Sequence, residues 1–198
     1  MIRAVFFDLG GVIVRTEYQA PRERLAERLN MTYEDINQFV FETETSRKAS
    51  LGQLTTEEHW ASVVRRLGRP ASETQAIREE FFAGDVIDRG LLDFIRSLRP
   101  RHKTGIISNA WPDLRDYIVK SKFDDAFDTL VISAEVGVMK PEAEIYKIAL
   151  DQLQVKANEA VFVDDVPANI TAARGLGMQG VLFRSPPQTL AELKKILE

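Results

Sequence analysis

Six side chains in this sequence are of types that can handle an anion together with an oxygen-bound metal ion: Asp8, Ser108, Asn109, Lys140, Asp164 and Asp165. Carboxylates are ligands for hard cations, an ammonium group is a point charge for an anion, and hydroxyl and amide groups donate to anionic oxygens. The spacing matters more than the types. Asp8 closes the apolar run Ala4-Val5-Phe6-Phe7 and is followed by Leu9-Gly10-Gly11; Asp164-Asp165 closes Ala160-Val161-Phe162-Val163. Ser108-Asn109 follows Thr104-Gly105-Ile106-Ile107, and Lys140 stands before Pro141, which favours extended geometry at the lysine. Each feature also has an ordinary reading, as a turn, a helix cap or a loop lysine.

The elements that would position these groups are short buried strands alternating with helices. Strands are predicted at 4–8, 104–107, 129–132, 160–163 and 180–183. Helices are predicted at 91–98, 112–119 (Pro112 as the first helical residue), 141–153, 167–176 and 190–197. Such alternation implies right-handed crossovers and a mostly parallel five-stranded sheet in an α/β fold, whose carboxyl edge is where ligands bind. Asp8, Ser108 and the acidic pair all fall on that edge. Neighbouring strand residues point to opposite faces, so one carboxylate of the pair would meet a metal and the other orient the loop. Asp165 is the expected ligand; Asn169, one turn later, could support the same loop.

Residues 15–87 have a different rhythm and read as an all-helical insertion. Thr32 and Asp35 form a capping pattern before Ile36, Phe39 and Val40. Thr55 or Thr56 opens a helix with Trp60, Val63, Val64 and Leu67. Ser72 is the expected cap of a helix carrying Ile77, Phe81 and Phe82. The core would then comprise residues 1–14 and 88–198. Within the insertion, Arg47, Lys48, Gln53, His59 and Trp60 offer only a vague polar and aromatic surface; His59 is expected on a helix surface and Trp60 in the core.

Composition narrows the classes. The chain has 198 residues, no cysteine and a formal net charge of −4. Thiolate metal sites and disulfides are excluded, and no overall positive field would gather nucleic acid or an anionic membrane. No apolar run approaches the roughly 20 residues of a membrane span, and Met1-Ile2-Arg3 runs directly into the first strand, so neither an anchor nor a signal peptide is expected. The expectation is a soluble cytoplasmic protein without nucleic-acid or membrane partners.

In order and combination, Asp8-Leu9-Gly10-Gly11-Val12, Ser108-Asn109, Lys140-Pro141 and Asp164-Asp165 resemble the four motifs of the haloacid dehalogenase-like hydrolases. The helical insertion resembles their C1 cap, and Leu51-Gly52-Gln53-Leu54-Thr55 is similar to the branch of sugar-phosphate phosphatases and the phosphatase domain of soluble epoxide hydrolase. The resemblance implies a Rossmann-like core and a phosphatase acting on a small phosphorylated metabolite. Asp8 would be the nucleophile forming an aspartyl-phosphate. Mg²⁺ would be held by Asp8, the Gly10 carbonyl and Asp165, with Asp164 beside it, while Ser108, Asn109 and Lys140 hold phosphoryl oxygens. The chain departs from this pattern at Gly10, where phosphatase members carry a second aspartate that protonates the leaving group. Glu17 is the nearest substitute in sequence. Dehalogenases also lack that aspartate, so haloacid dehalogenation, or a weakly active scaffold with a binding role, are the alternatives; the retained acidic pair favours phosphoryl chemistry.

Overall fold

The computed structural model describes residues 1–198. Its strands are β1 (Ala4–Phe7), β2 (Val14–Thr16), β3 (Asp85–Ile87), β4 (Lys103–Ser108), β5 (Thr129–Ile132), β6 (Ala160–Asp164) and β7 (Gln179–Leu182). Its helices are α1 (Ala20–Arg28), α2 (Tyr33–Phe41), α3 (Glu44–Ser50), α4 (Thr56–Arg66), α5 (Thr74–Phe82), α6 (Arg89–Leu98), α7 (Leu114–Lys120), α8 (Ser133–Val136), α9 (Ala143–Leu153), α10 (Pro167–Gly175) and α11 (Pro186–Leu197).

Five strands form a parallel sheet in the order β5-β4-β1-β6-β7. The order reverses at β1: the chain first builds outward through β4 and β5, then returns to add β6 and β7 on the other side. The crevice at such a reversal, outside the carboxyl ends, is where open α/β sheets bind ligands. Strand alternation divides the core. Val5, Phe7, Ile106, Val161 and Val163 pack with Leu91, Leu92, Ile95 and Ile118 on one face. Ala4, Phe6, Ile107, Val131 and Phe162 pack with Ile145, Tyr146, Ala149 and Ile170 on the other. Burial on both faces explains why these strands read as continuous apolar runs.

Helices α1, α2, α4 and α5 enclose a separate cluster of Leu25, Ile36, Val40, Trp60, Val63, Val64, Ile77 and Phe81. Capping boxes close the starts of α2 (Thr32 with Asp35) and α4 (Thr55 with Glu58), as local sequence dictates. Both chain passages into these helices run through the antiparallel β2–β3 ribbon. Arg22 ties helices to ribbon: it donates to the Phe81 carbonyl at 3.0 Å, Asn37 at 2.7 Å and Asp85 at 3.2 Å, with its guanidinium 4.0 Å from the Phe81 ring centre.

Four expectations need correction. The insertion expected to be all-helical from 15 to 87 instead begins and ends in the strands β2 and β3, whose three residues each are too few to show a period. Ser72 does not cap α5; it lies inside a 3₁₀ turn, Ala71–Glu73, which runs directly into that helix. Pro112 precedes α7 rather than opening it, because Trp111 and Asp113 are drawn toward the helical insertion. His59 is fully buried, not at a helix surface, since Trp111 packs across it with ring centres 4.5 Å apart.

Candidate active site

β1 and β6 are neighbours with Phe7 opposite Val163, so Asp8, just past β1, and Asp164, the last residue of β6, stand side by side. The Asp8 N–H donates to the Val163 carbonyl at 2.8 Å, carrying the pairing one residue past the strand end. Asp8, Asp164 and Asp165 then bring one carboxylate oxygen each to within 4.8 Å of one another. Lys140 Nζ lies 2.8 Å from Asp8 Oδ2 and 2.7 Å from Asp164 Oδ2, and all three residues are buried.

The adjacent aspartates differ sharply. Asp164 is wholly buried and also accepts from the Val166 N–H at 2.7 Å and from Asn169 Nδ2 at 3.0 and 3.1 Å. Its lone pairs are largely spoken for. Asp165 is more exposed, and its carboxylate lies against Gly11 so closely that a Cβ there would stand 2.2 Å from Oδ2. Gly11 has φ +76°, a second reason for glycine. Burial, reinforced by the Asp164 charge, raises the Asp165 pKa above the usual carboxylate range. Burial likewise pushes Asp8 up to about 6; Lys140 opposes this and Asp164 adds to it. Three crowded carboxylates against one ammonium leave excess negative charge, and an all-oxygen donor set fits a hard divalent cation.

Lys140 is positioned from its main chain. Asn109 Nδ2 donates to the Lys140 carbonyl at 2.9 Å, and the Lys140 N–H donates to Asn109 Oδ1 at 2.7 Å. The Asn109 amide thus fixes the lysine loop with its oxygen and one N–H, and its second N–H makes no bond within the chain. Ser108 ends β4 and is buried at the same edge. Gly10 lies in the turn after Asp8, and a Cβ added there would meet nothing within 4 Å. Glu17 is tied up elsewhere: Arg15 donates to it at 2.9 Å and to Asp88 at 2.8 Å.

Trp111 and Asp113, three and five residues after Ser108, carry contacts that the sequence reading missed. The available signal was a bulky aromatic and an acid in a polar loop directly after a strand-end Ser-Asn.

Comparison with known proteins bears on the family and the fold. A family model described as haloacid dehalogenase-like hydrolase matches residues 2–177. The bifunctional epoxide hydrolase 2 of Rattus norvegicus is 28% identical over 98% of this chain, which spans 39% of that protein's length. The chain thus spans about two-fifths of such curated relatives. The glyceraldehyde 3-phosphate phosphatase of Pyrococcus abyssi is 30% identical over 93% of this chain and 82% of its own. Among solved structures, a HAD family enzyme from Bacteroides thetaiotaomicron, in complex with magnesium and inorganic phosphate, superposes with a TM-score of 0.79 at 22% identity, covering 94% of this chain and 96% of its own.

Proposed function

This chain belongs to the haloacid dehalogenase-like hydrolase family, and from that premise we propose a Mg²⁺-dependent phosphatase that acts on a small phosphorylated metabolite through an aspartyl-phosphate on Asp8. The observation that carries the proposal is the convergence of Asp8, Asp164 and Asp165 within 4.8 Å, with Lys140 bridging the first two.

Asp8 and Asp165, with the Gly10 carbonyl, would hold Mg²⁺, which supplies charge neutralisation for the phosphoryl group. Asp164 holds Lys140 and the loop in place. A carboxylate oxygen of Asp8, ionised at neutral pH despite its raised pKa, attacks phosphorus as the bond to the leaving oxygen breaks. Lys140 and Ser108 stabilise the phosphoryl oxygens. Water then attacks phosphorus, releasing phosphate and regenerating the Asp8 carboxylate. With no side chain at Gly10, the leaving oxygen takes its proton from solvent, so good leaving groups such as anomeric or acyl phosphates are favoured. Residues 15–87 act as a cap over the edge and select the substrate.

A screen of phosphorylated metabolites with and without Mg²⁺ tests the reading. Mg²⁺-dependent turnover should vanish in Asp8→Asn together with covalent capture of labelled phosphate, and Mg²⁺ affinity should be largely lost in Asp165→Ala. Turnover persisting in Asp8→Asn removes Asp8 as nucleophile. Gly10 favours one second reading, hydrolysis of 2-haloacids, in which halide departs without a proton; turnover of such acids and of no phosphate ester would establish it. Activity on neither class would indicate a binding scaffold.

A further inference from the structure

The loop after β4 is gripped by the helical insertion at several points. Asp113 accepts from Thr56 Oγ1 at 2.7 Å and pairs with Arg78. Trp111 Nε1 donates to Ser46 Oγ at 3.3 Å. The Trp111 ring stacks on Phe41, with centres 5.9 Å apart, and meets Trp60 edge-on at 6.0 Å. Beside this loop, Gly52 approaches α8 so closely that a Cβ would stand 2.2 Å from the Ala134 carbonyl oxygen. The same loop begins at Asn109, whose side chain holds the Lys140 main chain, and Lys140 bridges Asp8 and Asp164. An unbroken series of contacts thus runs from α3, α4 and α5 to the carboxylates.

We propose that Asp113 and Trp111 are positioning residues that latch the cap onto the loop after β4, so that closure of the cap and the placement of Lys140 are one event. The inference rests on reading residues 15–87 as a cap. Asp113 occupies the N-cap position of α7, yet its side chain makes no capping bond there and is directed to Thr56 and Arg78. An aspartate at that position ordinarily satisfies its own helix; here that contribution is given up for a contact across the two units. The absence of a side chain at Gly52 allows the close approach that brings both polar partners within reach. Loss of the latch shifts the population toward an open cap in which the edge groups are no longer held for attack.

The test joins acrylamide quenching of the two tryptophans, Trp60 fully buried and Trp111 half-buried, with hydrolysis of p-nitrophenyl phosphate in Mg²⁺. Asp113→Ala should raise the quenching constant about twofold and lower kcat/KM about tenfold. Asp113→Asn keeps an acceptor for Thr56 and should fall between. Gly52→Ala, which leaves every polar partner of the latch intact, should reproduce both changes by holding the cap off Ala134. Thr56→Val supplies a milder variant should Asp113→Ala fail to fold. Quenching and kcat/KM both at wild-type values in the folded variants, even with a lowered melting temperature, overturn the proposal; so does a fall in kcat/KM with quenching unchanged. A wild-type protein inert toward phosphate esters would defeat the phosphatase reading, while the quenching comparison would still decide the latch.

Discussion

The carboxyl edge of the sheet and the aromatic interior around His59 and Trp60 treat buried polar atoms in opposite ways. At the sheet edge Asp164 is fully enclosed but accepts from Lys140, Val166 and Asn169, and Lys140 is itself divided between two carboxylates. In the insertion, His59 Nε2 and Trp60 Nε1 are buried with no hydrogen-bond partner, each orphan costing about 1–3 kcal/mol. The His59 Nδ1 atom does find Thr45 Oγ1 at 3.0 Å, and apolar and aromatic contacts with Trp111, Phe81 and Phe82 hold the rest together. The difference separates two demands. The edge must hold charges in one arrangement, which takes directional bonds to Asp8, Lys140 and above all Asp164. The aromatic interior of the insertion need only keep its shape, and non-directional packing suffices for that.

The largest effect should come from breaking the edge. Lys140→Ala leaves Asp8 and Asp164 buried beside each other without their shared cation, a change worth about 3–5 kcal/mol. Urea unfolding at pH 7 should show a loss of this size, and Mg²⁺ should restore part of it, because a cation bound only by the folded state adds stability. A loss under about 1 kcal/mol would mean that the edge tolerates an unpaired charge as the insertion tolerates its orphan atoms.

Next in size is the titration of His59. Burial lowers its pKa from 6.5 to about 4, and the nearby Val40 carbonyl, not in hydrogen-bonding geometry, offsets this only in part. Between those values the unfolded chain binds a proton that the folded chain does not, so stability is complete above pH 6.5 and declines as pH falls toward 4. The full shift corresponds to about 3 kcal/mol. Unfolding free energies at pH 7 and pH 4.5 should differ more in the wild-type protein than in His59→Phe, since titration of the remaining groups is common to both. Equal pH slopes would show that the ring takes its proton without leaving the packed interior.

Much of the edge could be read from sequence because its determinants are local. An apolar run ending in a carboxylate marks both the strand and the place where it stops, and this holds for Asp8 and for Asp164-Asp165 alike. The cap at Thr32 was legible for the same reason, and that of α4 was narrowed to Thr55 or Thr56: donor and acceptor lie three residues apart. The division of labour between Asp164 and Asp165 follows from Asn169, which the sequence places one helical turn away. What escaped depended on partners far along the chain. His59 shares a helix face with Val63 and could have been read as inward, but only Trp111, more than fifty residues later, makes it fully buried. Asp113 drew no reading from the sequence, because Thr56 and Arg78 reach it only through the fold. The second role of Asn109, holding the main chain of a loop thirty-one residues on, was likewise hidden from the local sequence.

The smallest effect tests whether the edge lacks one part. Gly10 follows Asp8 by two positions, where the family resemblance places an acid, and a Cβ there meets nothing within 4 Å. Gly10→Asp should therefore fold without displacing Asp8 or Lys140, in contrast to any substitution at Gly11, whose Cβ would strike Asp165. If the new carboxyl reaches the leaving oxygen, hydrolysis of simple phosphate esters should rise by up to about 10²-fold, the lower end of general acid contributions. Alkyl phosphates, whose alkoxide needs a proton to depart, should gain more than aryl phosphates, whose phenoxide does not. The comparison must be made in single-turnover experiments, because hydrolysis of the aspartyl-phosphate would mask a faster first step in steady state. An equal gain for both ester classes would show that the added carboxylate serves the water attack rather than departure of the leaving group. No gain for either would mean that the edge without an acid is already complete for its own substrate, one that departs unprotonated.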